Sequence, residues 1–179
     1  MCQSWDTAVK SGGEHDFSAC ATVLVHGQDF YVMHVLRKRL DFPALRERAK
    51  ALAQKHHPNI ILVEDSAVGS ALTSELNAAG FSAVAIRPQG DKLSRLSIES
   101  AKVESGHLYL PRQASWLNDF EDEFFAVPNA PHDDQADAVI PAIAYAASRV
   151  PLWNETSLKN YWRLLEGLAF PYVWSGSTF

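Results

Sequence analysis

Two hydrophobic periods follow one another along the chain, and the switch between them marks its elements. "QSWDTA" at residues 3–8, "SACATVLVHG" from Ser18 and "DFYVMHVLRKR" from Asp29 are short apolar runs of strand type. The last two are joined by the turn-prone "HGQD", so the three predict an antiparallel meander. From Phe42 the spacing lengthens: Phe42, Leu45, Ala49 and Leu52 share one helical stripe, which Pro58 closes. "NIILVED" is a wholly apolar run ended by two acids, the pattern of a central strand covered on both faces. Val68, Ala71, Leu72, Leu76 and Ala79 mark a second helix stopped by Gly80. "FSAVAI" predicts another strand, Leu93, Leu96 and Val103 another helix, and "HLYL" a short edge strand. Trp116, Leu117, Phe120, Phe124 and Val127 predict an amphipathic helix, and "HDDQADAVIPAIAYAA", residues 132–147, an apolar one. Pro141 has no N–H to bond back to the Asp137 carbonyl, so a kink is expected just past the acids.

Strands that are first antiparallel and then alternate with helices imply an α/β fold, a mixed sheet flanked by helices. Residues 1–150 read as one domain. After Val150 the texture changes: residues 151–179 hold three of the five tryptophans and no strand pattern, with Leu158, Tyr161, Leu165 and Leu168 on one short helical stripe. So much aromatic surface is seldom left uncovered, so this helical tail is expected to pack on the domain itself.

Bulk composition narrows the function. At 179 residues and 47% hydrophobic, the chain supports one well-cored domain. Cys2 and Cys20 have no disulfide-framework or zinc spacing, which fits a reducing compartment. The first twenty residues lack a secretory apolar core, and no run reaches membrane-spanning length, so no membrane partner is expected. A net charge of −5 excludes gripping nucleic acid by bulk electrostatics. Work on DNA would need local positive charge, a metal or a partner. Basic residues gather at Arg37-Lys38-Arg39, at Arg46, Arg48, Lys50 and Lys55, and at Arg87, Lys92 and Arg95, each also readable as a solvated face.

Acids stand at three places. Asp6 lies in the first strand; Glu64 and Asp65 end "IILV", where open α/β sheets hold their sites; Asp133, Asp134 and Asp137 open the late helix, three and four residues apart and so on one face. Each has an ordinary explanation in a turn or a helix cap. Brought together, however, carboxylates repel and resist ionising, a penalty a divalent cation removes. Oxygen donors without cysteine suit Mg²⁺ or Mn²⁺ rather than zinc.

The set "SWDTA" with "HDFSA", then "ILVEDSAVGSAL", "DKLSR" and "HDDQADAV" resembles the nuclease domain of a tailed-phage or prophage terminase large subunit over about residues 1–150. The resemblance implies a ribonuclease H-like fold, here a three-strand antiparallel meander followed by parallel strands. It also implies an endonuclease that cuts concatemeric viral DNA during packaging by two-metal phosphodiester hydrolysis with Mg²⁺ or Mn²⁺. Its acids map onto Asp6, Glu64, Asp134 and Asp137 as catalytic and metal-binding residues, with Asp65 and Asp133 as register alternatives. Asp6 is the expected bridging ligand. Lys92 and Arg95 would hold DNA phosphate, and His132 is a candidate proton carrier.

Expected partners are double-stranded DNA, the terminase ATPase domain, the small terminase subunit and the portal, on which the aromatic tail has its alternative reading. The resemblance places the chain in the host bacterial cytoplasm, with the isolated domain monomeric. No "GxxxxGK[ST]" motif is present, so the chain would not pump DNA by itself. Its start, five residues ahead of Asp6, suggests an excised domain or a truncated gene.

Three rival readings remain. A Holliday-junction resolvase-like nuclease would share fold and acids but be expected to dimerise and carry more positive charge. A histidine-aspartate phosphohydrolase using His56, His57, His132 and Asp133 would be all-helical, against the strand-rich first third. A non-catalytic module that binds DNA or portal would have little use for intact acids at all three places.

Overall fold

Strands Cys2–Asp6 (β1), Ser18–His26 (β2) and Asp29–Lys38 (β3) form the predicted meander in a computed structural model that describes residues 1–7, 17–87, 103–127, 129–148 and 172–173. Gly27 turns β2 into β3 with φ 61°, a left-handed conformation that a side chain disfavours. Helix Phe42–His56 (α1) starts under Asp41, whose carboxylate accepts the Ala44 N–H at 2.9 Å, and ends at left-handed His57 before Pro58. Strand Ile60–Glu64 (β4), helix Ala67–Ala78 (α2) and strand Ala83–Ile86 (β5) follow.

A π-helical turn, Val103–His107, leads into Leu108–Leu110 (β6); helices Leu117–Phe124 (α3) and Asp134–Ala147 (α4) come next, and Tyr172–Val173 (β7) is last. Helix α4 runs unbroken through Pro141, so the missing N–H removes one intrahelical bond without ending the helix. Among the described residues no helix is long and apolar enough to cross a membrane. The helix expected at Leu93 and Leu96, and the tail stripe from Leu158 to Leu168, lie outside the described residues.

Among the described residues seven strands form one mixed sheet in the order β5-β4-β1-β2-β3-β6-β7. Two expectations need correction here. "HLYL" is not the edge: β6 lies between β3, its parallel neighbour, and β7. The tail is also not strand-free, since Tyr172–Val173 pairs antiparallel with β6. Two residues are too few to display a period of two, and only the open edge of β6 tells them apart from coil.

Each face of the sheet is covered. Trp5, Cys20, Ile61 and Val63 pack beneath α1 and α2 against Leu45, Leu52, Leu72 and Leu76. On the other side Cys2, Ala19, Ala21, Val23 and Leu62 meet α3 and α4 through Phe120, Val139, Ala142 and Ile143. Buried Gln3 is satisfied inside the sheet: its amide nitrogen donates to Thr22 Oγ1 and its oxygen accepts from Trp5 Nε1, both at 3.2 Å. Burial on both faces explains why β4 reads as a continuous apolar run. The central strand β1 pairs in parallel with β4, Trp5 opposite Val63, so their carboxyl ends emerge side by side.

Candidate functional site

Asp6 closes β1 and Glu64 closes β4, and the parallel pairing of the two strands brings Glu64 near enough to act on the Asp6 carboxyl. Helix α4 crosses β1 and β2 with Asp134 and Asp137 in its first turn, close enough for both to act electrostatically on Asp6. All four carboxylates are half-buried. Burial pushes the Asp6 carboxyl up to about 9, reinforced by the Glu64 carboxyl and by the negative charges of Asp137 and Asp134. Asp134 is also raised, first by burial and then by Glu123, while His132 and Arg37 act in the opposite sense. Three carboxylates, one from β4 and two from α4, thus act electrostatically on Asp6 at the carboxyl end of the central parallel strands.

The adjacent acids are placed differently. Asp65 accepts from Ser70 Oγ at 3.1 Å and from Arg87 Nε at 2.5 Å, and its amide donates to the Ile86 carbonyl. Those two donors and the Arg87 charge hold its carboxyl below the ordinary range, on the surface beside β5. Asp133 occupies the N-cap position of α4, but its side chain makes no capping hydrogen bond. Its carbonyl accepts the Asp137 N–H at 2.8 Å.

The cap comes from elsewhere. Glu123 of α3, 5% exposed, accepts the Gln135 backbone N–H at 2.6 Å on one oxygen. Its other oxygen takes Gln135 Nε2 at 2.7 Å and the Arg37 guanidinium from β3. Gln135 Nε2 also donates to the Asp119 carbonyl at 3.2 Å. Glu123 therefore ties β3, α3 and the mouth of α4 together one residue from Asp134. Sequence reasoning missed it. The available signal was its place three residues after Phe120 on the buried stripe of α3, where an acid needs a partner.

Glu64 is seated by backbone approach. A Cβ on Gly69 would lie 1.9 Å from the Glu64 carbonyl oxygen, so the β4–α2 turn closes only around glycine. Ser66 Oγ caps α2 at Gly69 N, 2.9 Å away, and lies 3.2 Å from Thr7 Oγ1 beyond the end of β1. His132 is exposed, its ring edge-on to Phe17 at 5.5 Å, and it lines a pocket of about 240 Å³ with Arg37, Asp119, Asp122, Glu123 and Pro131. Lys92 and Arg95 lie outside the described residues. Arg46 and Lys50 pair with Glu75 of α2, at 3.9 and 3.1 Å, as a solvated helix face would.

Among the described residues no three His, Cys, Asp or Glu side chains stand close enough to hold a metal ion as placed. The chemistry of the set nevertheless fits a hard divalent cation. All four donors are carboxylates, and the negative charge gathered around Asp6 is the charge such an ion would neutralise.

Residues 3–146 match the family described as the terminase RNaseH-like domain. No curated protein sequence matches the chain. Among solved structures, the large terminase nuclease from thermophilic phage G20c with bound zinc is 18% identical, with a TM-score of 0.57 over 79% of this chain and 81% of that one. The human cytomegalovirus terminase nuclease domain is 12% identical, with a TM-score of 0.63 over 79% and 81%. The Fowlpox virus resolvase in complex with substrate Holliday junction DNA is 10% identical, with a TM-score of 0.53 over 82% and 97%. At these identities the likeness is one of fold: a mixed sheet flanked by helices.

Proposed function

This chain belongs to the terminase RNaseH-like domain family, and on that premise we propose that it is a divalent-cation-dependent DNA endonuclease that cuts concatemeric viral DNA during genome packaging. The observation that carries the reading is the juxtaposition of Asp6 and Glu64 under the Asp134–Asp137 turn of α4. Structures of the G20c terminase nuclease with zinc, cobalt or magnesium, and of the cytomegalovirus domain soaked in manganese, support a divalent-metal role for this fold.

Two Mg²⁺ or Mn²⁺ ions would lower the pKa of an attacking water and neutralise charge on the leaving oxygen. Asp6, on which both Glu64 and the α4 acids act, would be the ligand shared between the two ions. Glu64 would complete the shell on the β4 side, and Asp134 with Asp137 the shell on the α4 side. Asp65, already engaged by Arg87 and Ser70, would stay outside. Asp133 would serve α4 through its carbonyl. His132, exposed two residues before Asp134, is the candidate to carry a proton to or from bulk water. The ATPase domain, small terminase subunit and portal are the partners proposed for the packaging role.

The test is cleavage of supercoiled plasmid by the purified chain with Mn²⁺, Mg²⁺ or chelator, with a four-way junction as a parallel substrate. Nicking that needs metal, is lost in Asp6→Asn and shows no junction preference is expected. Junction-restricted cutting would transfer the chain to resolvase chemistry, and cutting that survives Asp6→Asn would overturn the site.

A further inference from the structure

Beside the acids lies a pair of arginines that the chemistry above leaves unused. Phe17 immediately precedes β2, and two guanidiniums lie against its ring: Arg37 Cζ is 4.8 Å and Arg39 Cζ 4.6 Å from the centroid. The His132 ring meets it edge-on. Ser18 pairs with Lys38, and Ala19 with Asp6, so Phe17 and Arg39 extend the same end of the sheet that presents Asp6. His132 connects them to α4, since it acts electrostatically on Asp134.

The two arginines differ in their partners. Glu123 compensates Arg37, whereas Arg39 is exposed and among the described residues has no carboxylate partner. Two like charges held against one ring repel, so the arrangement gains from an anion at Arg39. Packing on an aromatic face orients a guanidinium and leaves its N–H edge free for a bidentate acceptor. In a chain of net charge −5 whose site is four carboxylates, a DNA strand needs such a point of attraction.

We propose that Arg39, seated on Phe17 and flanked by His132, anchors a backbone phosphate of the DNA strand entering the acidic site. This rests on the nuclease reading. The contact sets the position of the strand without reading its bases. Phe17 is a positioning residue, acting through Arg39.

The experiment is fluorescence anisotropy of a labelled random-sequence duplex against a salt series, in constant Ca²⁺, for wild type, Arg39→Ala, Arg39→Lys and Phe17→Leu. Melting with and without Mn²⁺ is recorded on the same samples. Arg39→Ala should weaken binding and make the slope of log K against log salt shallower by about 0.9, the loss of one phosphate contact. Arg39→Lys should keep the slope and lose part of the affinity, because an ammonium lacks the fork. Phe17→Leu should also keep the slope, with weaker binding. Wild-type affinity and slope in Arg39→Ala, or no duplex binding by wild type, would overturn the inference. An Mn²⁺ melting shift together with an unchanged Arg39→Ala slope would leave the acidic site standing and remove this anchor. An altered slope without the Mn²⁺ shift would do the reverse.

Discussion

Asp6 and Glu64 stand at the ends of two strands paired in parallel, near enough that burial and the Glu64 carboxyl make Asp6 keep a proton far above the ordinary carboxylate range. Repulsion that would otherwise part them is relieved by that proton, and a divalent cation would relieve it in the same place. The stability of the metal-free chain therefore depends on pH. The folded Asp6 carboxyl, at about 9, lies above its ordinary value of 3.8, so the folded chain keeps a proton that the unfolded chain releases. This contribution is complete below about pH 3.8 and is lost as pH rises through about 9. Urea unfolding of wild type in EDTA should lose stability on alkalinisation relative to Asp6→Asn, and added Mn²⁺ should raise the wild-type melting temperature only. Parallel pH profiles for the two proteins would remove this account.

Glu123→Ala should destabilise the chain by about 3 kcal/mol, the lower end for breaking a buried ion pair, since Arg37 retains 23% exposure. It also frees the mouth of α4, so nicking should fall with stability. Glu123→Gln keeps an acceptor for the Gln135 N–H and should cost less. Chemical denaturation of both variants measures the difference, and equal losses would show that the acceptor for the Gln135 N–H contributes nothing.

Gly69→Ala tests the β4–α2 closure. Helix propensity alone favours alanine by about 1 kcal/mol. A Cβ at 1.9 Å from the Glu64 carbonyl forces the turn apart, so a net loss of roughly 1–3 kcal/mol is expected, with weaker metal-dependent nicking as Glu64 shifts. A variant that melts higher than wild type would show that the backbones do not approach so closely.

The rings of His34 of β3 and His56 of α1 lie tilted at 40° with centroids 5.2 Å apart, and His34 Nδ1 and His56 Nε2 are buried without hydrogen-bond partners among the described residues. Burial lowers both to about 4, with nearby positive charge adding to the effect. Folded values below the ordinary 6.5 mean that the stability they contribute is full above pH 6.5 and lost as pH falls toward 4. A His34→Gln/His56→Gln double variant should lose less stability than wild type between pH 7 and pH 4, read by urea midpoints. Identical slopes would show that the pair stays solvated.

Much of this protein was legible locally. The change from period two to period 3.6 at Phe42 marks the meander and α1 because side-chain alternation and helical stripes are properties of neighbouring residues. The apolar run of β4 announced a doubly covered strand, and acids at three places announced charges that would need compensation if folding gathered them.

Long-range pairing decided the rest. Glu64 meets Asp6 while its neighbour Asp65 turns to Arg87, a choice set by which strand lies alongside and not by either residue's own chemistry. Glu123, not Asp133, caps α4, because α3 packs against that helix mouth and brings a buried carboxylate to its free N–H. Tyr172–Val173 becomes a strand only because β6 offers an open edge. Periodicity encodes which face of an element is apolar, but the partner that covers that face, and the charge that meets it, exist only once distant segments are packed together.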